Sequence, residues 1–491
     1  MGFLWGESMN QIYRIEEPVL FFGNNNTCLD PQVGLLKYGP FGGRGIDSQE
    51  RISIRAGLIG TTRSIEATKT WLNRLKYRIV AVEKTNTEYK GIDFPGLSTE
   101  GPLKFDIVID PNCVVNISRK FVLGLKKIER KERVYNSALE YCNKLDDLSE
   151  AHPAPDIIFL PIDDDILRFC KEPGRKTDRI VYQQRKFGDT DALNAPMFDF
   201  HNFIKAHSAI RGFVTQLLLP KTLKFSEERQ SPSIIGWNIA VGVYYKATGI
   251  PWKLADIDDK TCYVGVSFYN EIKTSRRIIR PSFAQVYMRT GESQVIRGQP
   301  FLWDFDEMGR LVNLNSSQME ELVSQSLEVY YKQRNELPRR IVIHKSTHFS
   351  DEEISGCERA SEEIDELDIV HISSYTRFRA YHEKYDYPVV RGTVIANSDE
   401  AIMFSTGYVP ALATYPGPTV PRPIHIKCQR IDTSLEMICK DIMSLTKLDW
   451  NSSTFYTKMP VTLSVSKKVG AVMAEMDTDS VEPPSSYRFY M

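Results

Sequence analysis

The spacing of hydrophobic and polar positions predicts alternating strands and helices in the first half of the chain. Short apolar runs bounded by Gly, Pro or polar residues indicate strands, and apolar positions three and four apart indicate helices. The pattern predicts strands at 17–23, 52–60, 156–161 and 213–219, helices at 64–75, 119–150, 200–211 and 234–248, and loops at 34–43, 171–196 and 221–232. Because strands and helices alternate from residue 156 to residue 248, we predict a small Rossmann-like α/β domain in that stretch.

After Pro251 the pattern changes to consecutive strands, the first three predicted to be antiparallel. It predicts strands at 261–269, 282–288, 293–297, 340–344, 367–374, 389–397 and 401–406, and helices at 316–335, from Ser350 onward and at 432–445. A chain of 491 residues favours two or three domains. No apolar run approaches the ~18 residues of a membrane span, and the first residues lack the pattern of a secretory signal. We therefore expect a cytoplasmic protein.

Cysteine spacing and net charge narrow the function. The eight cysteines are scattered without a Cys-x-x-Cys pair, which indicates neither a zinc site nor a disulfide framework. The formal net charge is −1, which disfavours a simple nucleic-acid-binding protein, because such proteins contact many phosphates through Lys and Arg. Binding of nucleic acid would have to rest on local charge or on basic surface from a partner chain.

Four hydrogen-bonding side chains between residues 201 and 246 form a candidate phosphate pocket. His201 and Lys205 would share one face of the predicted helix, Gln216 lies in the following strand, and Lys246 ends the next helix. Together they offer enough donors for a phosphate monoester at the end of a nucleic-acid strand. A histidine near a helix start is, however, more often an ordinary surface or core residue, and two lysines and a glutamine are unremarkable. Spacing alone leaves both interpretations open.

The order of these residues resembles the guide 5′-end pocket in the MID domain of Argonaute proteins. The similar motifs are His201-x3-Lys205, Thr215-Gln216 and Tyr245-Lys246-Ala-x-Gly-x-Pro-Trp-Lys-Leu254. Further along, Tyr263-Val-Gly-Val-Ser-Phe resembles the first strand of the PIWI domain, and Leu445-Thr-Lys-Leu-Asp-Trp-Asn451 with Met459-Pro-Val-Thr-Leu463 resembles its last block. The opening Glu17-Pro-Val-Leu-Phe-Phe-Gly and Gly34-Leu-x3-Gly39-Pro are similar to short prokaryotic Argonautes, which lack the N and PAZ domains.

The resemblance implies an α/β fold with a Rossmann-like MID domain and an RNase H-like PIWI domain. We expect an N-terminal segment at 1–125 that packs on the other two, a MID domain at 126–250 and a PIWI domain at 251–491. By the same resemblance, His201, Lys205, Gln216 and Lys246 would hold the guide 5′-phosphate. The C-terminal carboxylate, at Met491, would share a Mg²⁺ with that phosphate, since a divalent cation relieves their repulsion.

The positions that resemble the PIWI nuclease site lack its acidic residues. Cutting by this family needs about four acidic or histidine side chains around two Mg²⁺ ions. Ser267, Ser346 and Lys467 stand where three of these are expected. Glu292 lies near the position of a mobile glutamate, but one carboxylate cannot hold two cations. We therefore predict that the chain is not itself an enzyme.

An alternative acidic site remains open. Asp256, Asp258, Asp259, Asp304 and Asp306 could form an unrecognised metal site, although such residues usually lie in solvated turns.

The resemblance also implies a partner. A non-cutting short Argonaute would bind a 5′-phosphorylated guide RNA, recognise single-stranded DNA of an invading plasmid or phage, and activate an APAZ-containing effector. That effector would be a sirtuin-like or TIR domain that consumes NAD, giving abortive-infection defence, and a TIR partner would fit assembly into a higher oligomer on target binding.

Two other functions remain as alternatives. One is an active guide-directed nuclease. The other is an unrelated α/β enzyme that binds a phosphorylated metabolite; the sequence has no Gly-x-Gly-x-x-Gly, Walker loop or nucleophile elbow to supply its chemistry.

Overall fold

The structure is a computed structural model that describes residues 11–81, 91–149, 153–172, 174, 177–183, 197–224, 231–271, 278–286, 293–298, 301–302, 312–381, 387–415, 417, 420–476 and 484–491. The strands are β1 Gln11–Arg14, β2 Leu20–Phe21, β3 Thr27–Cys28, β4 Ile52–Gly60, β5 Phe105–Asn116, β6 Ile157–Pro161, β7 Val181–Gln183, β8 Met197–Asp199, β9 Thr215–Leu218, β10 Lys253–Leu254, β11 Thr261–Glu271, β12 Ile278–Val286, β13 Ser293–Arg297, β14 Phe301–Leu302, β15 Arg340–Lys345, β16 Glu366–Ser373, β17 Thr393–Ala396, β18 Glu400–Met403 and β19 Ile424–Arg430. The helices are α1 Pro31–Tyr38, α2 Thr62–Leu75, α3 Arg119–Gly124, α4 Arg130–Asp147, α5 Asp164–Cys170, α6 Phe200–Ile210, α7 Pro220–Leu223, α8 Pro232–Ala247, α9 Ser316–Arg334, α10 Asp351–Ala360, α11 Leu435–Leu445 and α12 Val461–Met473.

A four-stranded parallel sheet forms the Rossmann-like unit, in the order β5-β4-β6-β9. Strand β6 is buried along its whole length, as expected for a parallel strand covered on both faces. Side chains of α4 and α6 pack on one face of this sheet, and side chains of α2 and α8 pack on the other. The unit thus has the three layers of a doubly covered α/β fold.

The predicted boundary between residues 125 and 126 would divide this sheet. Strands β4 and β5 precede the boundary, whereas β6 and β9 follow it, and β4 lies between β5 and β6. The sequence pattern missed β5 because Asp110-Pro-Asn112 interrupts its apolar residues, and the ladder to β4 shifts register close by. Residues 52–116 therefore share a sheet with strands that follow the predicted boundary.

The second half of the chain builds a ten-stranded mixed sheet in the order β1-β17-β18-β19-β16-β15-β11-β12-β13, with β14 paired to β12. Strands β11, β15 and β16 are parallel neighbours at its centre. Helices α9 and α10 pack on one face of this sheet, and α11 and α12 pack on the other. Residues 11–14 pair antiparallel with β17, so the start of the described chain joins this sheet.

Two predicted loops contain helices. Segment 34–43 overlaps α1, which begins with Asp30 as N-cap and Pro31 in its first turn, both recognisable start signals. Gly34 lies inside this helix, where α1 packs closely on Phe22. A Cβ at this position would come within 2.2 Å of the Phe22 ring, so the packing requires glycine. The loop predicted at 221–232 overlaps α7 and the start of α8, and residues 225–230 lie outside the described part. In these two segments proline marks the start of a helix and Gly34 marks close packing, so neither residue indicates a loop.

No helix in the described residues is long and apolar enough to cross a membrane.

Candidate functional site

A cavity of about 1120 Å³ lies between the two sheet units. Its wall includes all four side chains predicted to hold a phosphate, His201, Lys205, Gln216 and Lys246, together with Met491. His201 and Lys205 lie on α6, Gln216 lies on β9, and Lys246 lies in the last turn of α8. The structure thus brings together residues that are far apart in sequence.

Helix α6 presents two of these side chains on one face. Its N-cap, Asp199, accepts hydrogen bonds from the backbone N–H groups of His201 and Asn202 at 2.9 and 3.1 Å. His201 and Lys205 are four residues apart and therefore lie one turn above each other. Arg179 binds the second carboxylate oxygen of Asp199 at 2.5 Å, so the cap is itself paired with a cation.

Two buried lysines form the centre of the cluster. Lys205 and Lys246 are 1% and 2% exposed. The Lys205 ammonium donates to the carbonyl of Thr215, and the Lys246 ammonium donates to Oε1 of Gln216 at 2.6 Å. Among the described residues neither ammonium forms an ion pair with a carboxylate. With only neutral oxygens as partners, the charged forms of these two lysines are disfavoured in the free protein, and an anionic ligand would stabilise them.

Burial and mutual repulsion weaken the basicity of this cluster. Burial, followed by the nearby charge of Lys468, lowers the pKa of Lys246 to about 7. Burial, followed by the charge of Lys246, holds the pKa of Lys205 well below its usual range. The His201 ring faces the cavity, whose protein walls limit its solvation. This desolvation, followed by the charge of Lys205, lowers the pKa of His201 to about 4. Perturbed groups of this kind concentrate at functional sites.

We expect the lysines of this cluster to take up protons from solution when a 5′-phosphate binds. A dianion favours the charged lysines and raises the pKa of Lys246 from about 7, so binding takes up protons near neutral pH. Affinity for a 5′-phosphorylated oligonucleotide should fall as the pH rises above neutrality, by up to about tenfold per pH unit for each linked proton. The same strand with a 5′-hydroxyl should show less change. Titration calorimetry in two buffers of different ionisation enthalpy measures this uptake; equal binding enthalpies in both buffers would contradict it.

Lys468 is a further cation of the cluster that the sequence did not reveal. It lies on α12, lines the cavity and is near enough to lower the pKa of Lys246. Its ammonium is 3.6 Å from Oδ1 of Asp449. Arg179 and Lys221 also line the cavity, and each pairs with an aspartate of the same wall, Asp199 and Asp178. No sequence signal links these residues, because they meet only after the two units pack together.

The Pro-Trp-Lys-Leu motif after α8 fixes the floor of the site. Trp252 is fully buried and donates to the carbonyl of Lys447 at 2.8 Å, while Trp450 donates to the carbonyl of Trp252 at 3.1 Å. Tyr245 stacks on Trp450 with ring centroids 4.6 Å apart. These contacts hold the end of α8 against the segment before α12. The motif therefore positions Lys246 and does not itself line the cavity.

Ser267, Ser346 and Lys467 lie on the same cavity wall. Gly265 of β11 lets α12 approach very closely, since a Cβ there would be 2.1 Å from the carbonyl oxygen of Thr462. This contact brings Lys467 of α12 to the cavity that Ser267 of β11 and Ser346 also line. The cavity wall at these positions thus carries two hydroxyls and a cation.

Lys345, next to Ser346, is engaged on the opposite face of the sheet. Its ammonium lies 2.6 and 2.7 Å from the two carboxylate oxygens of Glu353, and both side chains are almost fully buried. Glu353 also accepts from the backbone N–H groups of Ser350 and Leu314. The carboxylate is therefore saturated by structural hydrogen bonds and serves the fold of α10.

The alternative acidic site is not assembled in the described residues. Asp256 accepts from the backbone N–H of Val19, Asp258 pairs with Arg339 at 3.0 Å, and Asp259 lies 3.5 Å from Arg334. In the described part of the chain no group of three or more His, Cys, Asp or Glu is arranged to hold a metal ion. Glu292, Asp304 and Asp306 lie outside the described residues.

Comparison with solved structures gives the fold relationship. Clostridium butyricum Argonaute bound to a guide DNA and a 19-mer target DNA matches 97% of this chain with a TM-score of 0.63 at 15% identity, over 54% of its own length. An A. aeolicus Argonaute matches 96% with a TM-score of 0.56 at 14% identity, over 54% of its length. Marinitoga piezophila Argonaute in complex with a 5′ OH guide RNA matches 98% with a TM-score of 0.56 at 14% identity, over 59% of its length.

The chain thus has an Argonaute-like α/β fold and spans a little over half the length of these structures. The predicted fold class, with MID-like and PIWI-like sheets, is confirmed. No protein-family model matches the sequence, and a comparison with curated proteins finds no match.

Proposed function

We propose that this chain is a guide-binding, non-cleaving Argonaute subunit whose main site is the cation cluster of the cavity. The observation that carries the proposal is the pair of buried, uncompensated lysines, Lys205 and Lys246, beside Gln216. Burying two cations without a carboxylate is costly, and a phosphate dianion would offset that cost. The fold shared with guide-bound Argonautes makes the 5′-phosphate of a guide strand the natural ligand. The guide is proposed to be RNA and the target single-stranded DNA.

A magnesium ion shared between the phosphate and the carboxylate of Met491 extends this proposal. Met491 lies on the cavity wall, and its side chain packs 3.7 Å from the Cβ position of Gly242 in α8. Mg²⁺ prefers six oxygen ligands and retains several waters, so one carboxylate plus phosphate oxygens is a sufficient protein contribution. In the described residues no group of three or more His, Cys, Asp or Glu is arranged to hold a metal ion by protein ligands alone. The ion would screen the carboxylate from the phosphate.

The proposal that the chain does not cut rests on the side chains at the degenerate positions. The hydroxyls of Ser267 and Ser346 are weaker ligands for Mg²⁺ than carboxylates are, and the ammonium of Lys467 repels a divalent cation. The purified chain, loaded with a 5′-phosphorylated guide and given complementary labelled target with Mg²⁺ or Mn²⁺, should yield no guide-directed product. A product that depends on the guide and disappears in Glu292→Ala would establish the nuclease alternative. Ser267→Ala is the matched control and should leave the result unchanged.

Catalysis is proposed to reside in a partner chain. A subunit that only captures a target needs an effector to act on it, and a near-neutral chain suits a nucleic-acid channel shared with a second, more basic subunit. The partner is proposed to be an APAZ-containing protein with a sirtuin-like or TIR domain that consumes NAD on target capture, as abortive-infection defence against plasmid or phage DNA. The site does not favour the metabolite-enzyme alternative. The described cavity wall offers hydrogen-bond donors for a phosphate, but no nucleophile paired with a base.

A further inference from the structure

An exposed stretch rich in aromatic and basic residues follows β16 and is here called the basic-aromatic segment, residues 374–381. Its sequence is Ser374-Tyr-Thr-Arg-Phe-Arg-Ala-Tyr381. Tyr375 and Tyr381 are 74% and 75% exposed. Tyrosine and arginine are enriched among the residues that contribute most to binding at interfaces.

The segment is held firmly from its inner side. The Phe378 ring contacts the fully buried Phe404 with centroids 6.3 Å apart, and Ala380 packs on the same small cluster. The Arg379 guanidinium donates to the carbonyls of Thr376 and Phe378 at 3.1 and 2.6 Å. Phe378 and Ala380 thus attach the segment to the protein, while Tyr375 and Tyr381 are exposed.

The segment begins at the rim of the cavity. Ser374 lines the cavity, and its carbonyl accepts a hydrogen bond from the Lys458 ammonium at 2.8 Å. Met459, the next residue after Lys458, also lines it. Burial lowers the pKa of Lys458, and so do the charges of Arg422 and Arg379, which places these cations close together. Within the described residues, none of these three cations and Arg377 forms an ion pair with a carboxylate.

We propose that the basic-aromatic segment binds single-stranded nucleic acid where the strand leaves the cavity. Bases would stack on Tyr375 and Tyr381, and Arg377, Lys458 and Arg422 would face the phosphates. Alternating rings and cations are the arrangement that binds single strands without reading their sequence. The inference rests on the proposed function, because a strand must be held at the cavity for its continuation to reach this rim. A protein partner is the other possible occupant, and the continuity with a cation-lined cavity favours nucleic acid.

Affinity measurements on the full chain test this surface. The variant Tyr375→Ala/Tyr381→Ala should bind a 5′-phosphorylated oligothymidylate of about 16 nucleotides at least about tenfold more weakly, since each lost stack weakens binding by this order. A 5′-phosphorylated dinucleotide, too short to leave the cavity, should bind equally well. Tyr375→Phe/Tyr381→Phe keeps both rings and is the matched control, with affinity near that of the wild type. A fluorescent adenine analogue near the 3′ end should be quenched by the wild type and the Phe variant only.

The outcomes separate this inference from the proposed function. If the wild type prefers 5′-phosphorylated strands but the Ala variant binds the long strand equally well, the inference is overturned and the proposed function stands. The same holds if the Ala variant keeps its nucleic-acid affinity and loses a co-purifying protein instead. If the wild type shows no preference for a 5′-phosphate, the proposed function fails and this inference fails with it.

Discussion

Replacing both central lysines, as Lys205→Met/Lys246→Met, should remove the preference for 5′-phosphorylated strands. Each lysine would give the phosphate a charge-assisted hydrogen bond of ~1.5–3 kcal/mol, so losing two costs about 3–6 kcal/mol, or roughly a hundred- to ten-thousandfold in affinity. Methionine fills a similar volume and removes a buried charge, and the variant should therefore remain folded. Fluorescence anisotropy with 5′-phosphorylated and 5′-hydroxyl forms of one strand measures the effect.

A matched control separates the site from general electrostatics. Lys127 and Lys131, before and within α4, are exposed and do not line the cavity. Lys127→Met/Lys131→Met changes the net charge equally but should lower the affinity only slightly, and by the same factor for both forms of the strand. A double variant of the central lysines that still discriminates a phosphate from a hydroxyl would contradict the assignment of the pocket.

Without a bound anion, the free energy of unfolding should depend on the protonation of Lys246. The pKa of Lys246 is lowered to about 7 in the folded chain, so above that pH the unfolded chain binds more protons at this group. Stability therefore rises with pH between about 7 and the usual lysine pKa, and the repulsion is fully present below about 7. The central-lysine variant should lose this dependence, which thermal unfolding at several pH values would detect.

Replacing Glu353 by glutamine should strongly destabilise the PIWI-like sheet. The substitution leaves the Lys345 ammonium buried without its carboxylate, which costs ~3–5 kcal/mol. Urea unfolding measures the loss. Lys345→Met in the same chain should recover part of it, because it removes the stranded charge.

An exposed ion pair provides the control for this prediction. Glu328 and Lys332 are 2.7 Å apart on the solvent side of α9, and Glu328→Gln should change the free energy of unfolding by no more than ~0.5 kcal/mol. If Glu353→Gln were equally mild, the Lys345–Glu353 pair would not be the structural contact described here.

The elements around the phosphate cluster could be predicted from the sequence because their signals are local. Strand β9 and helices α6 and α8 end within two residues of their predicted bounds, since each combines an apolar period with Pro, Gly or an Asp cap. The start of α10 at Ser350 was predicted by its capping box, which the structure contains. The motif order then placed the four side chains, although spacing alone could not distinguish them from an ordinary surface.

Contacts between distant segments could not be predicted. Lys468 reaches the cluster because α12 packs against β11, where Gly265 allows the close approach. Helix α12 begins on Pro460 inside a motif that resemblance identified without giving its secondary structure. The pairing of β4 with both β5 and β6 is likewise a property of the folded chain. In each case the missing information is tertiary packing, which local periodicity does not contain.

Sequencing of the nucleic acid that co-purifies with the protein tests the central claim most directly. The wild-type chain, isolated with any bound partner, should carry short RNA with a 5′-phosphate, and Lys205→Met/Lys246→Met should carry little or none. Wild-type protein free of nucleic acid, or a variant loaded with the same phosphorylated RNA to the same extent, would contradict the account.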